Sequence, residues 1–154
     1  MKILMVCLGN ICRSPMAEGV LRHLAAVRGL ELTIDSAGTS NYHVGDAPDR
    51  RARAAMKRKG MDIDSLRGRQ VRVEDFHHFD RILAMDASNL ADLRDLAPDK
   101  AAAAKVRLLL EHAPQLPWRE VPDPYYGGEE GFDQVFDMLL TACNGLLDEL
   151  ARPH

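Results

Sequence analysis

Cysteine, aromatic residues and long apolar runs are all scarce in this chain, and each shortage removes a class of protein. Three Cys in 154 residues are an odd and small number for a disulfide framework. The opening apolar stretch, residues 3–8, is shorter than a signal-peptide core and runs into Gly9-Asn10 without a small-residue cleavage site. Reduced thiols and a cytoplasmic location are therefore expected. No run approaches the roughly 20 apolar residues of a membrane-spanning helix, so no membrane partner is expected. Aromatics make up only 5% of the chain, and none is interleaved with the basic residues Arg50, Arg51, Arg53, Lys57, Arg58, Lys59, Arg67, Arg69 and Arg72. A solvated helix face is the ordinary reading of that stretch, and no nucleic-acid partner is expected. None of the six His stands at ligand spacing from Cys or carboxylates, so neither a metal nor an organic cofactor is expected.

What is present is the material of one ordinary domain over residues 1–154, with 46% hydrophobic and 28% charged residues and a net charge of −3. Lys2-Ile3-Leu4-Met5-Val6 reads as a buried parallel strand. A helix follows, with Ser14 as N-cap, Pro15 in the first turn and Met16, Val20, Leu21, Leu24 and Val27 as one apolar stripe that Gly29 ends. Further strands are expected at 31–35, 80–85 and 105–110, with helices at 49–59 and 88–96 and a long amphipathic helix carrying Phe132, Val135, Phe136, Leu139, Cys143, Leu146 and Leu150. Ser36-Ala37-Gly38-Thr39 reads as a second small-residue turn beside the first loop. Strands alternating with helices imply right-handed crossovers and an α/β fold: a doubly wound, flavodoxin-like (Rossmann-like) four-stranded parallel sheet with helices on both faces. Ligands of such sheets bind at the carboxyl ends of the strands.

At that end of the first strand stand Cys7-Leu8-Gly9-Asn10-Ile11-Cys12-Arg13-Ser14. Five residues between a thiol and a guanidinium let successive backbone N–H groups curl around one centre, with Gly9 supplying conformational freedom. The helix that follows turns the positive end of its dipole to the same point. Such a loop suits a phosphoryl group, held by the backbone of residues 8–12 and gripped by the planar fork of Arg13. The positive field favours Cys7 as a thiolate nucleophile, and Ser14 can donate a hydrogen bond to its sulfur. The departing oxygen of a phosphate ester needs a proton. Asp123 lies in the shaped loop Val121-Pro122-Asp123-Pro124-Tyr125-Tyr126-Gly127-Gly128 and suits that role, although Asp-Pro alone reads equally as a turn. Tyr42, Tyr125 and Tyr126 fall in loops, either as walls for a planar ring or as half-buried packing groups. Cys12 is either a small loop filler or a partner that traps an oxidised Cys7 as a reversible disulfide. Cys143 sits on an apolar stripe and reads as core.

Taken together, Val6 to Pro15, Asp35-Ser36-Ala37-Gly38-Thr39, Ala84-Met85-Asp86 and Asp123-Pro124-Tyr125-Tyr126-Gly127 resemble the low-molecular-weight protein tyrosine phosphatases in order and spacing. The resemblance implies a protein-tyrosine-phosphatase acting through a phosphocysteine on Cys7, with Arg13 as phosphate clamp and Asp123 as acid and then base. It implies supporting roles for Asn10, Ser14 and Ser36, and a ring slot lined by Leu8, Tyr42, Tyr125 and Tyr126. The partner would be a phosphotyrosine protein or peptide, toward which the basic stretch could steer acidic segments, and self-association would be absent or weak. Two positions depart from the pattern. Tyr42 stands where many members have Trp, and Leu66 stands where members often have a His, so a loop-supporting imidazole is not carried over. Three rival readings stand beside this one. A phosphoarginine phosphatase of the family would carry Thr at Ile11. An arsenate reductase needs further redox cysteines late in the chain, where only Cys143 is present. A non-catalytic phosphate-binding or redox-sensing module has no use for Cys7, Arg13 and Asp123 together.

Overall fold

Alternation along the first strand sets the layering. In the computed structural model, which describes residues 1–152, β1 spans Lys2–Cys7 and is buried from Ile3 onward. Ile3, Met5 and Cys7 enter one apolar cluster while Leu4 and Val6 enter another, because successive side chains of a strand leave opposite faces. A strand apolar on both faces needs helices on both. Strands β2 (Thr33–Gly38) and β3 (Arg81–Ala84) flank β1, and β4 (Val106–Leu108) lies beyond β3, giving a parallel sheet in the order β2-β1-β3-β4. The α/β sheet and its helix layers are those the sequence predicts.

Among the described residues the helices are α1 (Arg13–Val27), α2 (Arg50–Arg58), α3 (Asp75–His78), α4 (Ala87–Leu96), α5 (Lys100–Ala104) and α6 (Glu129–Ala151). Helices α1, α2 and α6 fill one face with Met16, Leu21, Met56, Phe132, Leu139 and Leu146. The other face is covered by Phe76 of α3, Leu93 of α4 and Ala102 of α5. The chain leaves β1 toward β2 on one side and later crosses to β3 on the other, so a crevice opens at the carboxyl end of β1. No helix among the described residues is long and apolar enough to cross a membrane.

Four local expectations are corrected. Helix α1 begins at Arg13 with Cys12 as an uncapped N-cap, since the Ser14 hydroxyl is engaged by Cys7 and Asn10 instead of the helix terminus. Ser36-Ala37-Gly38 is the end of β2 and not a turn, because these residues pair with Met5, Val6 and Cys7. Strand β4 stops at Leu108 and the chain winds into a 3-10 turn over Leu109–His112. Helices α3 and α5 carry too little periodicity to be read in advance, although Asp99 caps α5 by accepting from Ala102 N at 2.7 Å.

Helix α6 backs closely onto that 3-10 turn at Gly145, where an added methyl would overlap the His112 carbonyl. Gly145→Ala is expected to cost about 1–3 kcal/mol through overpacking against backbone, lowering the thermal midpoint by several degrees. At Gly131 of the same helix a methyl meets only Pro124, at 3.6 Å, so Gly131→Ala is expected to be neutral or to stabilise by up to about 1 kcal/mol through helix propensity. Calorimetry of both variants checks the pair, and equal midpoints would refute it.

Candidate active site

Cys7 is the last residue of β1 and only 2% exposed. Its sulfur accepts from Asn10 N at 3.3 Å and lies 3.0 Å from Ser14 Oγ. The turn that makes this possible passes through Asn10, which sits at φ 57, in the left-handed region that Asn tolerates better than most side chains. The amide then pins the turn: Nδ2 donates to Ser14 Oγ at 2.8 Å and to Ser36 Oγ at 3.0 Å, while Oδ1 accepts from Arg69 N at 3.0 Å. The conformational freedom assigned to Gly9 in the sequence therefore belongs to Asn10. Gly9 is needed for space instead, since a methyl there would stand 3.1 Å from the His43 ring.

The same network runs on into the protein. Ser36 Oγ donates to Glu18 Oε1 at 2.7 Å, and Arg22 Nη2 lies 2.7 Å from Glu18 Oε2, close enough for an ion pair though not aligned as a hydrogen bond. Glu18 is buried on α1, and that burial raises its pKa above the ordinary carboxylate value despite the bond from Ser36 and the nearby charge of Arg22. The turn at Asn10, helix α1, strand β2 and the segment at Arg69 are thus linked behind one sulfur by side-chain hydrogen bonds.

Arg13 opens α1 with its side chain 3% exposed. Nη1 donates to Asp86 Oδ2 at 2.6 Å and to the Val121 carbonyl at 3.1 Å, and among the described residues its hydrogen bonds to protein use Nη1 alone. Nη2 faces Asp123 Oδ2 at 3.7 Å. Burial works against the guanidinium charge, but the Cys7 thiolate and the Asp86 carboxylate outweigh it and raise the Arg13 pKa. Asp86 also caps α4 by accepting from Asn89 N at 2.8 Å, so its orientation is fixed from two sides.

Opposite lies the segment 121–128, where Val121 N donates to the Met85 carbonyl at 2.8 Å. Asp123 precedes the 3-10 turn Pro124–Tyr126 and accepts from Tyr125 N at 3.0 Å. Between the two loops is a cleft of about 300 Å³ whose lining includes Cys7, Arg13 and Asp123. Leu8, Tyr42, Tyr125 and Tyr126 form its rim, with Tyr42 and Tyr126 largely exposed and the two adjacent tyrosines packed edge to face at 5.1 Å. Ile11 and Cys12 complete the floor. Burial, then the charges of Asp49 and Cys7, pushes the Cys12 thiol far up, and burial pushes the Cys143 thiol up to about 12.

Every residue assigned to the site in the sequence lies at the cleft or in the hydrogen-bond shell behind it, with Asn10, Ser14 and Ser36 in that shell, while Cys143 lies in the core. Asp86 stands in the sequence only as the end of the Ala84-Met85-Asp86 motif, without a role, and Glu18, His43 and Arg51 carry none there. Glu18 had a usable signal, standing four residues after Ser14 and hence on the same helix face. His43 follows Tyr42 directly, and Arg51 was absorbed into the basic stretch. Among the described residues no cluster of three or more His, Cys, Asp or Glu is arranged to hold a metal.

A buried thiol beside an arginine at a strand-to-helix turn, facing a carboxyl on a second loop, is the architecture of a cysteine-dependent phosphatase. The pattern of the family described as low molecular weight phosphotyrosine protein phosphatase matches residues 2–154, and the chain belongs to that family. The low molecular weight protein-tyrosine-phosphatase YfkJ of Bacillus subtilis is 41% identical over 152 residues, covering 97% of this chain and 96% of that one. The crystal structure of a protein tyrosine phosphatase from Entamoeba histolytica superposes with a TM-score of 0.93 at 43% identity, over 97% of this chain and 96% of that one. That of a Drosophila arginine phosphatase superposes at 0.94 with 35% identity, over the whole of both chains.

Glu18 gives the site's hydrogen-bond shell a pH signature. Its folded pKa is raised above the ordinary 4.5, so the native state holds this proton more tightly than the unfolded chain, and the contribution to stability declines as pH rises through that window. Glu18→Gln removes the titration. Denaturant unfolding is expected to show the stability of the wild type relative to Glu18→Gln falling from pH 4 toward pH 7; a flat difference would refute the assignment.

Proposed function

We propose that the chain is a protein-tyrosine-phosphatase that hydrolyses phosphotyrosine esters of proteins or peptides, and small aryl phosphates, through a phosphocysteine on Cys7. The observation that carries this reading is the convergence of Cys7, Arg13 and Asp123 on one cleft from a strand end, a helix start and a loop more than a hundred residues downstream.

In the first step the Cys7 thiolate attacks phosphorus and the P–O bond to the phenol breaks, with Asp123 giving its proton to the leaving oxygen. Arg13 grips the equatorial phosphate oxygens through the edge not used by Asp86, and the start of α1 adds its dipole. In the second step the Asp123 carboxylate takes a proton from water, water oxygen bonds to phosphorus, and the P–S bond breaks to return the thiolate. Ser14 suits that return: its oxygen accepts from Asn10, and its hydroxyl proton can turn to the sulfur at 3.0 Å instead of the Ala37 carbonyl at 3.4 Å. Leu8, Tyr42 and Tyr125 give the rim apolar and aromatic walls for a planar ring. The basic stretch on α2 places positive charge where acidic peptide segments approach. Cys12, on the same loop, is the thiol available to form a reversible disulfide with an oxidised Cys7. The three free cysteines support a reducing, cytoplasmic setting.

Hydrolysis of phenyl phosphate in the presence of EDTA tests the chemistry. Cys7→Ser is expected to abolish turnover, and Asp123→Asn to lower kcat/KM by about 10²–10⁴-fold, the usual span for general acid catalysis. Retained turnover in Cys7→Ser would overturn the nucleophile assignment. Peptides carrying phosphotyrosine, phosphoserine and phosphoarginine, compared side by side, should show phosphotyrosine cleaved fastest; faster cleavage of phosphoarginine would assign the specificity to the rival reading.

A further inference from the structure

The first turn of α2 touches both halves of the cleft. Asp49, its N-cap, donates its backbone N–H to the Ile11 carbonyl of the phosphate loop at 2.7 Å. Two residues on, the Arg51 guanidinium donates from Nη2 to the Tyr125 carbonyl and from Nη1 to the Gly127 carbonyl, both at 2.9 Å. It also lies over the rings of Phe132, at 4.8 Å, and Tyr125, at 5.6 Å. Among the described residues, Arg51 makes the hydrogen bonds that reach residues 123–127 from outside that segment.

Arg51 is itself held. Asp49 accepts from its Nε at 3.1 Å and from its Nη2 at 3.2 Å. Burial would push the Asp49 carboxyl up, but the bonds from Arg51 outweigh that and lower its pKa, so the anchor stays ionised at neutral pH. A guanidinium is suited to the task because its planar fork reaches two carbonyls from separate nitrogens while Nε and Nη2 also meet Asp49, a set of four bonds that exceeds the three donors of an ammonium.

We propose that Arg51 is a positioning residue for the acid: it ties the loop of Asp123 to the phosphate loop through the first turn of α2 and so fixes the carboxyl at the leaving oxygen. The inference rests on the reading of Asp123 given above. It assigns Arg51 no contact with substrate. Its loss should therefore slow only the step in which the leaving group needs a proton, and leave the phosphate cradle of Cys7 and Arg13 intact.

The readout is the dependence of kcat/KM on the leaving group. Arg51→Ala is expected to lower kcat/KM for phenyl phosphate, a poor leaving group, by about 10–100-fold, the scale of a displaced catalytic group. For 2,4-dinitrophenyl phosphate, whose phenolate leaves without a proton, the loss should stay within about threefold. Inhibition by vanadate, which binds at the thiol as a phosphate stand-in, should change by no more than about twofold, since the cradle it occupies is untouched. Arg51→Lys should fall between, and together with Arg51→Gln it decides the matter if the alanine variant does not fold. A loss equal for both esters, no loss for either, or weakened vanadate binding of the same size would overturn the proposal. Asp123→Asn separates the two levels. If it shows the leaving-group selectivity and Arg51 variants do not, only the role of Arg51 falls; if it shows none, the acid assignment falls and the role of Arg51 with it.

Discussion

The site depends on a single asparagine backbone held where most residues would resist being placed. Asn10 turns the chain from β1 into α1 at φ 57, a conformation an L side chain enters at a cost of about 1 kcal/mol or more. That cost is offset by the same residue, whose amide is bonded on both ends: two serine hydroxyls accept from Nδ2 and a backbone N–H donates to Oδ1. Because those hydroxyls belong to α1 and β2, the turn is locked to the sheet and to the helix at once. Its own N–H is then left pointing at the Cys7 sulfur. Remove the side chain and the strained backbone, the sulfur's donor and the serine orientations all lose their support together. This is the sense in which a nucleophile can be built by secondary structure.

Burying Arg13 would be unfavourable by itself, since a cation taken from water loses its hydration. The structure answers with a carboxylate and a carbonyl on one edge of the guanidinium, from Asp86 and Val121. Both partners lie at the exit of β3 or on the segment docked to it, as Val121 N bonds to Met85. One arginine therefore aligns three pieces of chain that are remote in sequence. The phosphate loop, the cap of α4 and the root of the Asp123 loop cannot shift independently while Nη1 keeps both bonds.

How much of this was legible follows from range. The parallel sheet and its helix layers were readable because they rest on local signals: apolar runs for β1 and β3, a 3.6-residue stripe for α6, and Pro15 near a helix start; the strand order β2-β1-β3-β4 is seen only in the fold. That Cys7, Arg13 and Asp123 belong to one cleft was legible because the chemistry of a phosphate site restricts which residue types can serve there. What escaped were residues whose role is set by a distant partner. Glu18, Asp86 and Arg51 are ordinary charges in sequence, and only folding shows that they face Ser36, Arg13 and the carbonyls of Tyr125 and Gly127. Ser14 was assigned its bond to sulfur correctly and its cap wrongly, for one reason: a hydroxyl committed to Cys7 and Asn10 is not free to cap.

Leu66 shows how the loop is supported without the imidazole that related sequences often carry at that position. Its side chain packs, partly buried, against the core cluster of α1, α2 and α6, and the donor to Asn10 Oδ1 comes instead from the backbone of Arg69. A backbone donor is only as reliable as the chain that carries it. Here Gly38 N donates to the Arg69 carbonyl at 2.8 Å and Val71 N donates to Gly38 O at 2.8 Å, extending the edge of β2 by one bridge. The Arg69 side chain is clamped between Asp35 and Asp75, with contacts of 3.0 to 3.2 Å to both carboxylates. Burial opposes that charge, but Asp75 and then Asp35 outweigh it and raise its pKa. The support that a titratable ring could give is thus provided by a peptide N–H that does not titrate. For this reason the geometry around Cys7 is insulated from protonation at position 66, and the network behind it ends in carboxyls instead: Glu18 beyond Ser36, and Asp35 and Asp75 around Arg69.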